Sequence, residues 1–281
     1  MLSLCAGSLV CTSAVGWFLT RGAGLSLRHI SLSYLSGFIW FLATLSFVYS
    51  VDCMGLGRAA VLRNTTVAFG VLYGVLLFGE YSLGRPVQLL LVVLGAGTII
   101  AAASIFGQIS AVSDVVRPSC PVNLVRPRAL VAGMDRRPVL VGTGFGLVAA
   151  LLYASYTVPG KIVMNESPGP WQYFFLIGQG AFMACLAGYL LLTRTKVWTR
   201  VPLRDHALAL LAGVLWSAAF GFMLMSMQVL GLAIAWSMIN LSAVVQLLIS
   251  IFVLKEIYRR QVVLGSLAAV AGIVLLGLSK V

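Results

Sequence analysis

The sequence predicts an all-α polytopic membrane protein, and two observations support that fold class. The chain has 281 residues, of which 60% are hydrophobic and 9% charged, whereas a soluble domain is roughly 45–50% apolar and about 25% charged. Long apolar runs recur along the chain, and a helix of about 20 apolar residues crosses the hydrocarbon core of a bilayer. Membrane barrels show short alternations of apolar and polar residues instead, so these unbroken runs indicate helices.

Nine apolar runs define the predicted spans. They cover residues 1–20, 31–52, 58–79, 86–106, 138–160, 170–193, 206–227, 231–254 and 261–280. The segment 107–137 contains three prolines and five arginines, which predicts a basic, irregular loop rather than a span. We therefore divide the chain into 1–106 with four spans, the basic loop at 107–137, and 138–281 with five spans.

The two parts of the chain contain an internal repeat. Gly37-Phe-Ile-Trp40 is matched by Gly213-Val-Leu-Trp216, at an offset of 213 − 37 = 176 residues. The same offset places Asn64 on Asn240. Because an odd number of crossings separates the second span from the seventh, we expect the two copies to be inverted in the membrane. Inverted repeats are typical of secondary transporters, which bind solutes near the midplane and work by alternating access.

These motifs resemble the drug/metabolite transporter superfamily, and within it the glucose/ribose porter branch of sugar-transporter-like, EamA-like proteins. The residues that carry the resemblance are Gly37–Trp40, Gly55, Phe78-Gly79-Glu80, Tyr153 and Pro159, with the echoes Gly213–Trp216, Gly231 and Leu254-Lys255-Glu256. The resemblance covers nearly the whole chain and implies two inverted repeats of five spans. With four spans before the loop and five after it, the first repeat is expected to lack its first helix.

Polar and aromatic side chains inside the spans are the candidate substrate-binding residues. They are Trp40, Asn64, Thr65, Tyr73, Trp216, Trp236, Asn240 and Gln246. The Asn64 and Asn240 amides donate and accept hydrogen bonds, which suits sugar hydroxyls; structural hydrogen bonds between helices are the alternative. The indoles of Trp40 and Trp216 offer flat apolar faces to a sugar ring, with an interfacial aromatic belt as the alternative.

Acidic residues are absent from the middle of every predicted span. Acids inside a membrane usually serve protons or cations, so their absence favours a neutral polar solute. Glu80 and Glu256 end their spans, and we expect them to be structural. The sequence has no HExxH, Walker A or GxSxG motif, so we expect no enzyme activity, no metal and no cofactor.

The predicted function is a permease that moves a sugar or related small polar metabolite by alternating access. The alternatives are an exporter of amino acids, nucleotide-linked metabolites or drugs, and a non-transporting membrane scaffold. The expected partners are a small-molecule substrate, most simply a carbohydrate, and the lipid bilayer of the plasma membrane or an internal membrane. The net charge of +12 suits loops that face anionic lipid rather than nucleic acid. Gly70 and Gly74 favour close helix packing, with a homodimer as the alternative.

Overall fold

The structure is a computed structural model of the chain, and its described helices confirm the all-α class. It describes residues 2–19, 26–54, 59, 62–63, 65–80, 86–113, 138–166, 170–192, 202–239, 267–268, 271–272 and 274–275. The helices within these ranges are α1 (Leu2–Leu19), α2 (Leu27–Met54), α3 (Thr66–Leu76), α4 (Pro86–Ser113), α5 (Pro138–Ser155), α6 (Thr157–Glu166), α7 (Trp171–Leu192), α8 (Leu203–Leu230) and α9 (Leu232–Ile239).

Several of these helices have the length and composition of membrane spans. Four long apolar stretches qualify within the described residues, at Leu27–Cys53, Leu140–Glu166, Trp171–Leu190 and Leu203–Leu230, and shorter apolar helices lie at Leu2–Phe18, Thr66–Leu76 and Val87–Thr98. Many large apolar side chains on their surfaces are exposed, including Trp17, Phe222 and Val229. Such surfaces suit contact with lipid tails, so the chain is an integral, multi-pass membrane protein.

Two helices extend furthest beyond their predicted ends. α4 continues to Ser113, past residue 106 and into the predicted loop, because proline and charged residues are absent until Asp114. The fifth predicted span, 138–160, continues as α6 to Glu166. Lys161 therefore lies within a helix, where the apolar pattern alone predicts a loop.

α2 and α8 match each other in length and register. Both have 28 residues, and the repeat offset carries the first residue of α2, Leu27, onto the first residue of α8, Leu203. Trp40 and Trp216 consequently lie at the middle of their helices. This correspondence is what a duplicated structural unit requires.

The described residues fall into two compact units. The first unit lies within Met1–Leu42 and Leu152–Ala235, and the second within Ala43–Leu151 and Trp236–Val281. Each unit takes segments from both predicted repeats. The compact units and the sequence repeats are therefore different divisions of the chain.

In the first unit, α1 packs against α8 through small residues. A methyl group built on Gly213 would overlap the carbonyl oxygen of Leu4, so the two backbones are in direct contact there. One turn further along α8, the Ser217 hydroxyl donates a hydrogen bond of 2.9 Å to the Ser8 hydroxyl. Small residues and interhelical hydrogen bonds of this kind hold membrane helices together where the hydrophobic effect between them is weak.

In the second unit, the same principle joins α2 to α5. The Ser50 hydroxyl donates a hydrogen bond of 2.8 Å to the Gly142 carbonyl. Next to it, the rings of Tyr49 and Phe145 lie 4.5 Å apart. A side chain at Gly146 would press against Ser50, so small residues set the helix spacing here as well.

Candidate functional site

The two repeat-motif tryptophans contact each other in the first unit. The ring centroids of Trp40 and Trp216 are 4.7 Å apart and the ring planes are tilted by 46°. Trp40 is 5% exposed, while Trp216 is half-buried. An interfacial aromatic belt lies near helix ends, whereas these rings lie at the middle of two long helices. The pair therefore lies away from the helix ends, and its role in binding stays a prediction.

Trp216 belongs to an aromatic cluster centred on Phe220. The Trp216 and Phe220 rings are stacked, with centroids 5.2 Å apart and planes within 4°. Three further rings surround Phe220 at centroid distances of 6.1 to 6.3 Å, those of Tyr156, Tyr173 and Phe174. We call these five residues, with Trp40, the aromatic cluster. All of them except Trp216 are buried, so the cluster forms a closely packed apolar core in the first unit.

A break in the helix lies beside this cluster. α5 ends at Ser155 and α6 begins at Thr157, and Pro159 lacks the N–H that would bond the Ser155 carbonyl in a continuous helix. At the break, the Tyr173 hydroxyl donates a hydrogen bond of 3.1 Å to the Tyr156 carbonyl. Broken helices are typical of transporter binding sites, where a neighbouring helix satisfies the displaced backbone.

Lys161 brings a cation into the first unit. Its Nζ donates a hydrogen bond of 3.0 Å to the carbonyl of Met227, in the last turn of α8. The Gly231 N–H bonds the same carbonyl at 3.2 Å. A cation is stabilised by the negative end of a helix dipole, so this contact fastens α6 to the end of α8. The continuing apolar run Ile162-Val-Met164 was the sequence signal for a helix here.

Three of the candidate residues that the structure describes lie in the second unit. A side chain at Gly70 would overlap the Trp236 indole, so Trp236 packs directly on α3. This contact supports packing within the chain as the role of Gly70. The Thr65 hydroxyl donates a hydrogen bond of 2.6 Å to the Leu62 carbonyl, and Tyr73 is half-buried on α3.

Glu80 lies just beyond the end of α3, and its structural role stays a prediction. Its N–H bonds the Gly74 carbonyl at 3.1 Å, and Gly79 takes the positive φ of 58° that closes a helix end. Asn64, Asn240, Gln246 and Glu256 lie outside the described residues, so their roles stay predictions.

The structure adds residues that the motifs do not single out. Tyr156, Tyr173 and Phe220 look like ordinary core residues in the sequence, since aromatic side chains are common in apolar runs. Their significance comes from contacts between the joint of α5 and α6, α7 and α8, which no local pattern encodes.

Comparison with known proteins gives the family. Residues 140–278 match the EamA-like transporter family. The chain is also similar to the glucose uptake protein GlcU of Bacillus subtilis (strain 168), with 26% identity over 261 residues that cover 91% of this chain and 81% of that protein. Residues 140–278 therefore form an EamA-like domain, and the similarity to the glucose uptake protein supports the resemblance of the chain to the sugar-porter-like branch of drug/metabolite transporters.

Proposed function

We propose that this protein moves a sugar or a closely related polar metabolite across a membrane by alternating access. The observation that carries the proposal is the contact of Trp40 with Trp216 at the middle of two equivalent helices. An indole face is flat and apolar, and the C–H face of a sugar ring packs against it while the hydroxyls stay free for hydrogen bonds. The similarity to a glucose uptake protein supports the same substrate class.

The charges of the first unit favour a neutral solute. Within its described residues the acids are Glu166, at the end of α6, and Asp205, in the first turn of α8. Neither lies near the middle of a span, where a cationic solute would need a counter-charge. The Lys161 ammonium is bound to a backbone carbonyl. A solute that interacts through stacking and hydroxyl groups fits this distribution.

The helix break supports the alternating-access part of the proposal. α5 and α6 are two helical segments joined at Tyr156, beside the aromatic cluster. Such a joint allows one segment to tilt while the other stays packed, and tilting about a fixed central site is how repeat-built transporters expose it to each face in turn. No catalytic step is part of the proposal.

Uptake into proteoliposomes tests the proposal. We expect the purified protein to accelerate entry of radiolabelled D-glucose above that of empty vesicles, and unlabelled sugars to compete. A panel of amino acids, nucleotide-linked metabolites and cationic drugs is assayed in parallel. Competition by one of those classes, with no effect of sugars, would contradict the sugar assignment. Absence of flux for every class would favour the scaffold alternative.

A further inference from the structure

A polar stripe follows one face of α2. His29, Ser33 and Ser36 are spaced by four and three residues, and Trp40 follows four residues later. At 3.6 residues per turn these four positions fall within an arc of about 60°. The polar stripe, defined as His29, Ser33 and Ser36, therefore starts near the beginning of α2 and leads to Trp40 of the aromatic cluster.

The stripe contains buried polar atoms without hydrogen-bond partners. Ser33 and Ser36 are 0% exposed, and within the described chain neither Oγ of Ser33 nor Nδ1 of His29 makes a hydrogen bond. Oε1 of Gln172, in the first turn of α7, is in the same condition. The Ser36 hydroxyl has the Tyr173 hydroxyl as a hydrogen-bonding neighbour, and Tyr173 donates to the Tyr156 carbonyl.

Buried polar atoms are rarely left without partners, because each loses its hydrogen bonds to water and gains none in return. Three such atoms in one unit, two of them in line on one helix, indicate groups that gain partners in another state. A solute with several hydroxyls, or the water that accompanies it, supplies both donors and acceptors for serine, histidine and glutamine side chains.

An ionic cluster closes the His29 end of the stripe, the end away from Trp40. Glu166, the last residue of α6, uses both carboxylate oxygens: Oε1 lies 3.0 Å from Nη1 of Arg28 and Oε2 lies 3.4 Å from Nε2 of His29. The cluster ties the start of α2 to the end of α6. The side chains of Arg28 and Glu166 are 66% and 35% exposed, and ion pairs in such partly hydrated surroundings are weak enough to open and close.

We propose that the polar stripe lines the passage by which the solute reaches Trp40 and Trp216, and that Arg28, His29 and Glu166 form the gate that is closed in this conformation. This inference rests on the proposed transport function and extends it to a route and a gate. His29 to Trp40 is a path of about 16 Å along the helix. Along that path, hydrogen bonds from the solute to the serine hydroxyls of the stripe replace its hydrogen bonds to water.

Cysteine labelling tests the passage independently of the solute. In a background with the five native cysteines replaced by alanine, Ser33→Cys and Ser36→Cys are each exposed in lipid nanodiscs to a charged, water-soluble methanethiosulfonate. We expect slow labelling while the gate is intact, and at least tenfold faster labelling after Glu166→Gln. The matched control is Leu35→Cys, on the same helix but on an exposed apolar face; its labelling should stay slow in both backgrounds.

The outcomes separate the gate, the passage and the proposed function. Equal labelling rates with Glu166 and with Glu166→Gln would overturn the gate. The passage would be overturned if Ser33→Cys and Ser36→Cys stay unlabelled after the gate is opened, in protein that still takes up D-glucose. Gate-dependent labelling in protein that moves no sugar would leave the passage standing and reject the sugar substrate. If Glu166→Gln does not give monodisperse protein, Arg28→Gln, which removes the shorter ion pair, replaces it with the same expectations.

Discussion

Replacing Trp216 by leucine is expected to reduce the initial rate of D-glucose uptake about tenfold. Leucine retains apolar volume beside Phe220 but removes the flat face on which a sugar ring stacks. Aromatic stacking contributes about 0.5–1.5 kcal/mol beyond the burial of area, and about 1.4 kcal/mol corresponds to a factor of ten. Uptake is measured in proteoliposomes at equal protein content, with solute concentrations below saturation.

The control for this variant is Phe222→Leu. Phe222 is also an aromatic residue on α8, but its side chain is 72% exposed on the surface that suits lipid. We expect Phe222→Leu to transport at close to the wild-type rate. Equal losses in both variants would show that α8 tolerates no aromatic replacement for structural reasons, and would contradict a stacking role for Trp216. Wild-type uptake by Trp216→Leu would remove this residue from the site.

Gly213→Ala is expected to lower the free energy of unfolding by about 1–3 kcal/mol, the usual range for overpacking. The new methyl group would overlap the Leu4 carbonyl, so α1 and α8 must separate. That separation also lengthens the hydrogen bond between Ser8 and Ser217. The measurement is the thermal unfolding midpoint of the purified protein in detergent.

Gly221→Ala is the matched control on the same helix. A methyl group there would lie 3.5 Å from the nearest atom, in the Phe174 ring, which is an ordinary contact. We expect its midpoint to stay near that of the wild type. Gly37→Ala, the repeat counterpart of Gly213→Ala, should behave like the latter, because its methyl group would overlap the backbone of Ala181. Identical midpoints for Gly213→Ala and Gly221→Ala would contradict the close approach of α1 and α8.

The sequence predicted the helices well because the length of an apolar run is a local property. The repeat motif was informative for a related reason: Gly37 and Gly213 are small because another backbone touches them, and the tryptophans one turn further on meet each other. Both requirements place a glycine and a tryptophan at a fixed spacing in each repeat, and this pattern is visible in the sequence. The membrane class and the superfamily followed from these patterns, and the helices and the family match confirm them.

The rest of the site depends on contacts between distant segments. In the sequence, Lys161 follows the end of a predicted span. Its role becomes visible only with its hydrogen bond to the Met227 carbonyl of another helix. Ser33 looks like an ordinary small residue until its burial without a hydrogen-bond partner is known. The break at Tyr156 is signalled in part by Pro159, but its support comes from Tyr173 on the next helix. Asn64 and Asn240 remain predictions from the repeat.

The skewed contact between Trp40 and Trp216 has an optical consequence. Two indole chromophores at 4.7 Å and 46° couple their electronic transitions, and a non-parallel coupled pair produces a signed couplet in circular dichroism. Either tryptophan alone gives no such couplet. A movement of α2 against α8 that changes the angle or the distance between the rings changes the amplitude. The pair is thus a built-in spectroscopic reporter at the centre of the candidate site, readable without attaching a dye.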